Sequence, residues 1–457
     1  MNQLTIINPA DGSLIAEVPA DDAASVARKA ERARKAQPAW QATPLAKRAI
    51  AIARFRLAVA TELETLAATL TQEVGKPLAQ SRNELNGFLA RIDFFLAEVE
   101  AATGDETVFS EGAMTERIGH DPLGVVANIS AWNYPYFVGG NVFVPALLTG
   151  NAILYKPSEF ATLTGLHIDR MLHAAGIPAD VFITVVGAGD VGGALLDQDV
   201  DGVFFTGSVA TGTKIAAAMG SRMVRLQLEL GGKDPTYVAD DADPKAAAES
   251  LADGAMYNTG QSCCSVERIY VHERIHDAFV AQFVATVTGF KSGDPTAEGS
   301  YIGPLTRRPQ LTVLEAQVTD ALSKGAKLEA GGKPIDRPGN WFEPTVLSGV
   351  DHTMTVMREE SFGPIIGIQK VTSDDEALAL MNDTRYGLTA GMYTRDEARA
   401  KKLLARVNAG SVYWNCCDRV SPRLPWSGHG DSGVGVTLSA YGIQAFTRPR
   451  AWHLRSA

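Results

Sequence analysis

Asn258-Thr-Gly-Gln-Ser-Cys-Cys-Ser-Val266 places two adjacent thiols among small and polar residues in an otherwise apolar neighbourhood. A cysteine is a nucleophile only as its thiolate, which needs a nearby base or a field of backbone N–H groups; Gly260 and Ser262 let such groups come close. The plain alternative is a buried thiol, since free cysteine is among the most buried residue types. A second stretch, Leu226-Gln-Leu-Glu-Leu-Gly-Gly-Lys-Asp-Pro235, favours the first reading. It carries one carboxylate, Glu229, in an alternating apolar strand just before a glycine pair. A lone carboxylate is costly to bury ionised, so its pKa is expected to rise toward neutrality, which suits a general base.

The chain has 457 residues, enough for two or three hydrophobic cores. A net charge of -10 argues against a nucleic-acid partner, because phosphate binding needs a positive surface. The four cysteines fall in two adjacent pairs, Cys263-Cys264 and Cys416-Cys417. That spacing fits neither a disulfide framework nor C-x-x-C metal binding, and no metal is expected. The start lacks a basic region followed by an apolar core, so the expected location is cytoplasmic. The most apolar window, Tyr136 to Tyr155, is interrupted by Gly139, Gly140, Asn141, Pro145, Gly150 and Asn151, which marks core and not a membrane span.

Along the chain, Asp22 to Gln37 is helical in composition and is expected to stop at Pro38. Thr43-Pro44 is expected to open one long helix, with Thr43 as N-cap, closed by Gly75. Leu85, Phe88, Leu89, Ile92, Phe95, Leu96 and Val99 form one apolar helical stripe. From there, apolar runs at 125–129, 152–155, 181–186 and 203–206 are separated by helix-length segments, which predicts a mostly parallel sheet covered on both faces. A second series starts at 235–238 and continues through 268–271 and 365–368. The boundary between the two series is placed near 229–232. The polar stretch Glu111 to His120 is an excursion away from the sheet.

Several short motifs carry chemistry. Asn133, in Ile129-Ser-Ala-Trp-Asn-Tyr-Pro135, is an amide at a strand end that can stabilise an oxyanion, an effect worth about 3 to 4 kcal/mol. Lys156 and Glu159 end the next strand, where they suit a ribose diol or a solvated surface pair. Two glycine motifs compete for a pyrophosphate: the literal G-x-G-x-x-G at Gly187 to Gly192, and Phe205-Thr-Gly-Ser-Val-Ala-Thr-Gly212, which runs from strand into helix. His272-Glu-Arg-Ile-His276 is a literal H-E-x-x-H. Zinc chemistry needs both histidines on one helix, and His272 directly follows a strand-like run, so a solvated helix start is expected instead.

The G-Q-x-C and L-E-L-G-G-K segments together closely resemble the aldehyde dehydrogenase superfamily, and the resemblance runs from Asn8 to about Trp452. It implies a Rossmann-type parallel-sheet cofactor domain (1–104 and 123–229), an α/β catalytic domain (230–424), a small β oligomerisation arm (105–122 and 445–457) and a return segment (425–444). By resemblance Cys263, not Cys264, is the nucleophile, Glu229 the hydrolytic base, and Asn133 with the Cys263 N–H the oxyanion hole; Ala131 replaces the usual proline before Trp132. The cofactor positions fall on Trp132, Lys156, Ser158, Glu159, Gly207, Ser208, Gly212, Leu230, Glu360 and Phe362, with Gly189 bordering the adenosine. Glu159 would repel a 2'-phosphate, so NAD is expected, with NADP open. The implied activity is oxidation of an aldehyde to its acid through a Cys263 thioester. A coenzyme-A-acylating or semialdehyde-specific relative, or an inactive binding protein of the same fold, are the alternatives. A homodimer or homotetramer is expected.

The family's aldehyde tunnel falls on Tyr134, Phe137, Asn141, Tyr257, Ser262, Cys264, Trp414 and Asp418. Tyr134, Tyr257 and Trp414 are aromatic, which points to a medium-sized aromatic or aliphatic aldehyde. Arg419 keeps an acidic semialdehyde in view, although it neighbours Asp418 and can simply pair with it.

Overall fold

The computed structural model describes residues 3–417 and 419–456. A hairpin of β1 (Gln3–Ile7) and β2 (Leu14–Pro19) opens the chain, followed by α1 (Ala23–Ala42), α2 (Leu45–Thr61), α3 (Leu63–Val74) and α4 (Leu78–Thr103). The ribbon β3 (Glu106–Glu111) and β4 (Met114–Pro122) precedes a strictly alternating series. That series is β5 (Val125–Ile129), α5 (Pro135–Leu148), β6 (Ala152–Lys156), α6 (Thr162–Ala174), β7 (Phe182–Thr184), α7 (Gly189–Leu196), β8 (Gly202–Thr206), α8 (Val209–Met219) and β9 (Arg225–Glu229).

After a short crossing come β10 (Asp234–Val238), α9 (Pro244–Met256), β11 (Val266–His272), α10 (His276–Gly289) and α11 (Pro309–Ser323). The chain continues through β12 (Lys327–Ala330), β13 (Thr345–Ser348), β14 (Ile365–Val371), β15 (Thr389–Tyr393), β16 (Ser411–Trp414), β17 (Gly433–Val434) and β18 (Thr447–Arg455).

The strands form two large sheets. One has the order β17-β9-β8-β5-β6-β7, the other β12-β13-β14-β11-β10-β15-β16. Only the edge strands β17 and β12 run antiparallel to their neighbours. Strand alternation sends Val125, Ala127 and Ile129 to one core and Val126 to another, so the first sheet is buried on both faces. The second sheet divides its side chains between two further cores in the same way. Parallel sheets need this double cover because their crossover helices occupy both faces.

Two helix expectations are corrected. α1 runs through Pro38 to Ala42 because its last turn is held from outside: Gln37 Nε2 donates to the Gly150 carbonyl at 3.1 Å and Trp40 Nε1 to that of Leu147 at 3.0 Å. Tertiary bonds thus offset the backbone bond that proline removes. The expected single helix from Thr43 is two: Thr43 bonds back to the Ala39 carbonyl and does not cap, and the chain leaves helical geometry at Glu62, whose carboxylate pairs with Arg170 of α6. Gly75, at φ 79°, closes the second piece.

The ends of the two sheets meet. Glu229 closes β9, Trp132 and Asn133 follow β5, and Gly207 follows β8; Gly231 precedes β10, Cys263 precedes β11 and Glu360 precedes β14. The carboxyl ends of one sheet therefore face the entrances of the other, where ligands of open α/β sheets bind.

Candidate active site

The loop that carries Cys263 is held in an unusual backbone conformation. Asn258, Thr259 and Gly260 have φ of 53°, 58° and 70° in succession. Left-handed geometry costs a non-glycine residue energy, and such strain persists only where surrounding bonds over-determine it. Here they do. Gln80 Oε1 accepts the Asn258 N–H at 2.9 Å, Asn258 Nδ2 donates to the carbonyls of Asn133 and Gln261, and Thr259 Oγ1 accepts the Gly303 N–H at 3.0 Å. At Gly260 a Cβ would stand 2.1 Å from the Gly363 carbonyl oxygen, so only glycine fits.

This loop brings the separated motifs together. Asn133, buried, donates from Nδ2 to the Gln261 carbonyl at 3.2 Å, which leaves its second amide hydrogen free to meet a ligand. Gly232 packs against the Cys263 carbonyl so closely that a Cβ would lie 3.0 Å from it. Glu229 is buried, its Oε1 has no hydrogen-bond partner, and burial pushes its carboxyl up to about 8, with the nearby Trp426 and Gln227 side chains pulling it back only in part.

Two cavities meet at the thiol. One, of about 740 Å³, is lined by Tyr134, Phe137, Asn141, Tyr257, Ser262 and Cys264 among others; the second, of about 310 Å³, by Trp132, Asn133, Gly207, Ser208, Glu229, Leu230, Glu360 and Phe362. Among the described residues Cys263 alone lines both. Cys263 is partly exposed, whereas Cys264 is buried with its sulfur 3.4 Å from Ser262 Oγ.

The smaller cavity has the donors and the close walls of a dinucleotide site. Ser208 caps α8, whose first N–H groups suit an anion. Glu360 stands where a Cβ on Gly231 would be, 2.3 Å from its carboxylate, and accepts the Gly232 N–H at 3.1 Å. Burial first and the neighbouring Glu267 second push its carboxyl up to about 8. Phe362, at φ 47°, is fixed by donating its N–H to Glu267 and sets its ring edge-on to Trp132 at 5.5 Å. Lys156, Ser158 and Glu159 are off the lining of this cavity, at the end of β6 and just beyond it; Lys156 is buried, donates to the Pro157 carbonyl at 3.3 Å and lies 4.0 Å from Glu159, which leaves N–H donors unused.

Other expected positions fall elsewhere. Gly212 lies under Leu230, where a Cβ would meet that side chain at 2.5 Å, and is off the small cavity's lining. Gly189 starts α7, outside the small cavity's lining. Trp414 is off the lining of the large cavity, because β16 ends there and its indole donates to the Thr394 carbonyl at 3.0 Å. Asp418 lies outside the described residues. His272 closes β11 while His276 opens α10, so the H-E-x-x-H histidines are not on one helix.

Sequence reasoning missed Arg91, Trp426, Arg307 and Gln310, all on cavity walls. Arg91 left a signal: it follows Phe88 by three residues and precedes Phe95 by four, a charge inside the buried stripe of α4.

The sequence model of the aldehyde dehydrogenase family matches residues 1–452. The chain belongs to the aldehyde dehydrogenase family. This aldehyde dehydrogenase is 36% identical over 460 residues to the 3,6-anhydro-alpha-L-galactose dehydrogenase of Streptomyces coelicolor, covering 99% of this chain and 93% of that one. It is 31% identical to the NADP(+) succinate-semialdehyde dehydrogenase of Deinococcus radiodurans, over 97% of this chain and 93% of the relative. Among solved structures, PnpE in complex with nicotinamide adenine dinucleotide superposes with a TM-score of 0.96 at 34% identity, covering 99% of this chain and 94% of that one. The dehydrogenase is thus an oxidoreductase acting on aldehydes. Among its described residues no helix is long and apolar enough to cross a membrane.

Proposed function

We propose that this enzyme oxidises its aldehyde to the free acid, with Cys263 as nucleophile, Glu229 as base and Asn133 as oxyanion donor. The observation that carries the reading is the position of Cys263 on both cavities, with Glu229 on the wall of the smaller one. The aldehyde enters from the larger cavity, and the Cys263 thiolate attacks its carbon. The free Asn133 amide hydrogen and the Cys263 N–H hold the resulting oxygen anion, a charge-developing step that fixed donors stabilise. Bound NAD or NADP supplies the hydride acceptor. The acyl group is then held on Cys263 as a thioester. Glu229 takes a proton from water, the hydroxide adds to the acyl carbon, and the carbon–sulfur bond breaks to return the thiolate and release the acid.

Residues 1–104 and 123–229 serve the cofactor, with Lys156, Ser158 and Glu159 at the adenosine ribose, Gly189 bordering the adenosine, Ser208 and Gly207 at the pyrophosphate, and Trp132 at the nicotinamide end, which Glu360 and Phe362 reach from residues 230–424. Glu159 favours NAD over NADP. Residues 230–424 supply the nucleophile. The four free cysteines suit a reducing cytoplasm.

The arm of β18, β4 and β3 supports a homodimer or homotetramer. Every residue of β3 and eight of nine in β18 are exposed, including Phe109, Trp452 and Leu454. A small sheet without a covered face is unstable alone, so a second copy is the expected cover. Sedimentation giving only monomer at micromolar concentration would count against this.

The central test mixes protein, NAD and an aldehyde panel and follows NADH. Product that formed only with added coenzyme A would overturn hydrolysis by Glu229.

A further inference from the structure

The described lining of the larger cavity carries three guanidinium groups, Arg91, Arg419 and Arg423, against one carboxylate, Asp253, which already accepts from the Tyr301 hydroxyl. This excess of positive charge lies in a chain whose net charge is -10. The three differ in setting. Arg419 and Arg423 are exposed at the rim, where they act through the field that draws anions in.

Arg91 is 5% exposed. It donates to Asn141 Oδ1 at 3.2 Å, and its guanidinium lies 3.6 Å from the centroid of the Phe137 ring. Buried Lys76 and Lys233 are paired with Glu84 and Glu267, but among the described residues Arg91 has no carboxylate within 4 Å. Burial pulls its pKa down to about 10 against the opposing field of Glu84. A desolvated charge without a counter-ion is costly to keep. One amide oxygen and one ring face leave most of its five N–H donors unused.

We infer that Arg91 anchors the substrate, and that the aldehyde oxidised here carries a carboxylate at the end remote from its reacting carbon. The inference rests on the reading of Cys263 as the nucleophile. A guanidinium fork matches a carboxylate at two points, and Asn141 holds that fork on the cavity wall. Tyr134 and Phe137, stacked 5.8 Å apart with their planes 6° from parallel, supply an apolar wall for the methylenes between the two ends. This departs from the uncharged aldehyde expected from the aromatic residues: Trp414 is off the lining, and Arg91 is on it.

The test compares kcat/KM of the wild type, with saturating NAD, for succinic semialdehyde against butanal and for glutaric semialdehyde against pentanal. The semialdehydes are expected to lead by at least about tenfold, the scale of a charged hydrogen-bonded pair. Arg91→Met is expected to erase most of that lead through a higher KM for the semialdehydes, and Arg91→Lys to restore part of it. Equal or better turnover of the neutral partners, an equal loss for both members of a pair in Arg91→Met, or a phosphorylated aldehyde leading over the semialdehydes would overturn the assignment. If Arg91→Met does not fold, the wild type decides: glutarate should raise Tm and glutaramide should not, and equal shifts would overturn the inference. A protein that oxidised the neutral aldehydes alone would refute the Arg91 inference and leave the Cys263 reading standing. One that oxidised no aldehyde would refute both.

Discussion

Lys76 and Glu84 form an ion pair with no side-chain exposure, and the other oxygen of Glu84 accepts the Tyr136 N–H at 2.9 Å. Lys76 Nζ also lies 3.7 Å from the centroid of the Tyr134 ring. The pair therefore fixes the start of α5, two residues after Asn133. Removing one partner of a buried pair leaves an uncompensated charge and costs about 3 to 5 kcal/mol. Lys76→Met should lower the unfolding midpoint accordingly and reduce kcat as the Asn133 turn loosens; denaturant unfolding and steady-state kinetics measure both. An unchanged midpoint would show that the pair contributes nothing.

Cys263→Ala should lose aldehyde oxidation by several orders of magnitude, the usual cost of removing a nucleophile. Glu229→Gln should separate the half-reactions: a burst of NADH matching the enzyme sites, then slow turnover, with the acyl adduct found on Cys263 by peptide mass spectrometry. A full steady-state rate in Glu229→Gln would remove that residue from hydrolysis.

Burial pushes the Glu229 carboxyl up to about 8, and only its ionised form takes a proton from water. Where hydrolysis limits turnover, kcat should rise with pH through about 8, and Glu229→Gln should abolish that rise.

Glu73 adds a separate effect on stability. It accepts the Thr164 N–H at 2.8 Å and the Thr164 hydroxyl at 2.7 Å at the start of α6, yet burial dominates and pushes it up to about 7 from an ordinary 4.5. Its folded pKa is raised, so between these values the native state binds more protons than the unfolded one. The contribution of Glu73 to stability is then greatest at acid pH and falls as pH rises through this window, levelling above about 7. Glu73→Gln should flatten that part of the Tm-against-pH curve; an unaltered slope would exclude Glu73 as its source.

Glu159 lies 4.0 Å from Lys156, and on the proposed reading its carboxylate would repel a 2'-phosphate. Glu159→Gln should shift the ratio of kcat/KM for NAD over NADP toward NADP by roughly tenfold, on the scale of one like-charge contact. A ratio that stayed constant would place the discrimination elsewhere.

The linear sequence determined what depends on local pattern. Alternating apolar runs separated by helix-length segments specify parallel strands buried on both faces, and β5 occupies the residues read from that pattern, 125–129. The chemistry-bearing motifs were legible because each needs particular residue types at short spacing: a cysteine after glycine and polar residues, a carboxylate before a glycine pair, an amide after a strand. Tertiary structure decided what depends on partners far along the chain. Proline at 38 does not end α1 because carbonyls more than a hundred residues away hold its last turn. Trp414, aromatic and close to Cys416 and Cys417 in sequence, turns to Thr394 and leaves the cavity. Arg91 becomes a cavity residue only because α4 packs beside α5, which carries Phe137 and Asn141. Whether a charge on an apolar stripe is a solvated exception or an unpaired cation in a binding pocket is set by which groups surround it, and no local pattern encodes that.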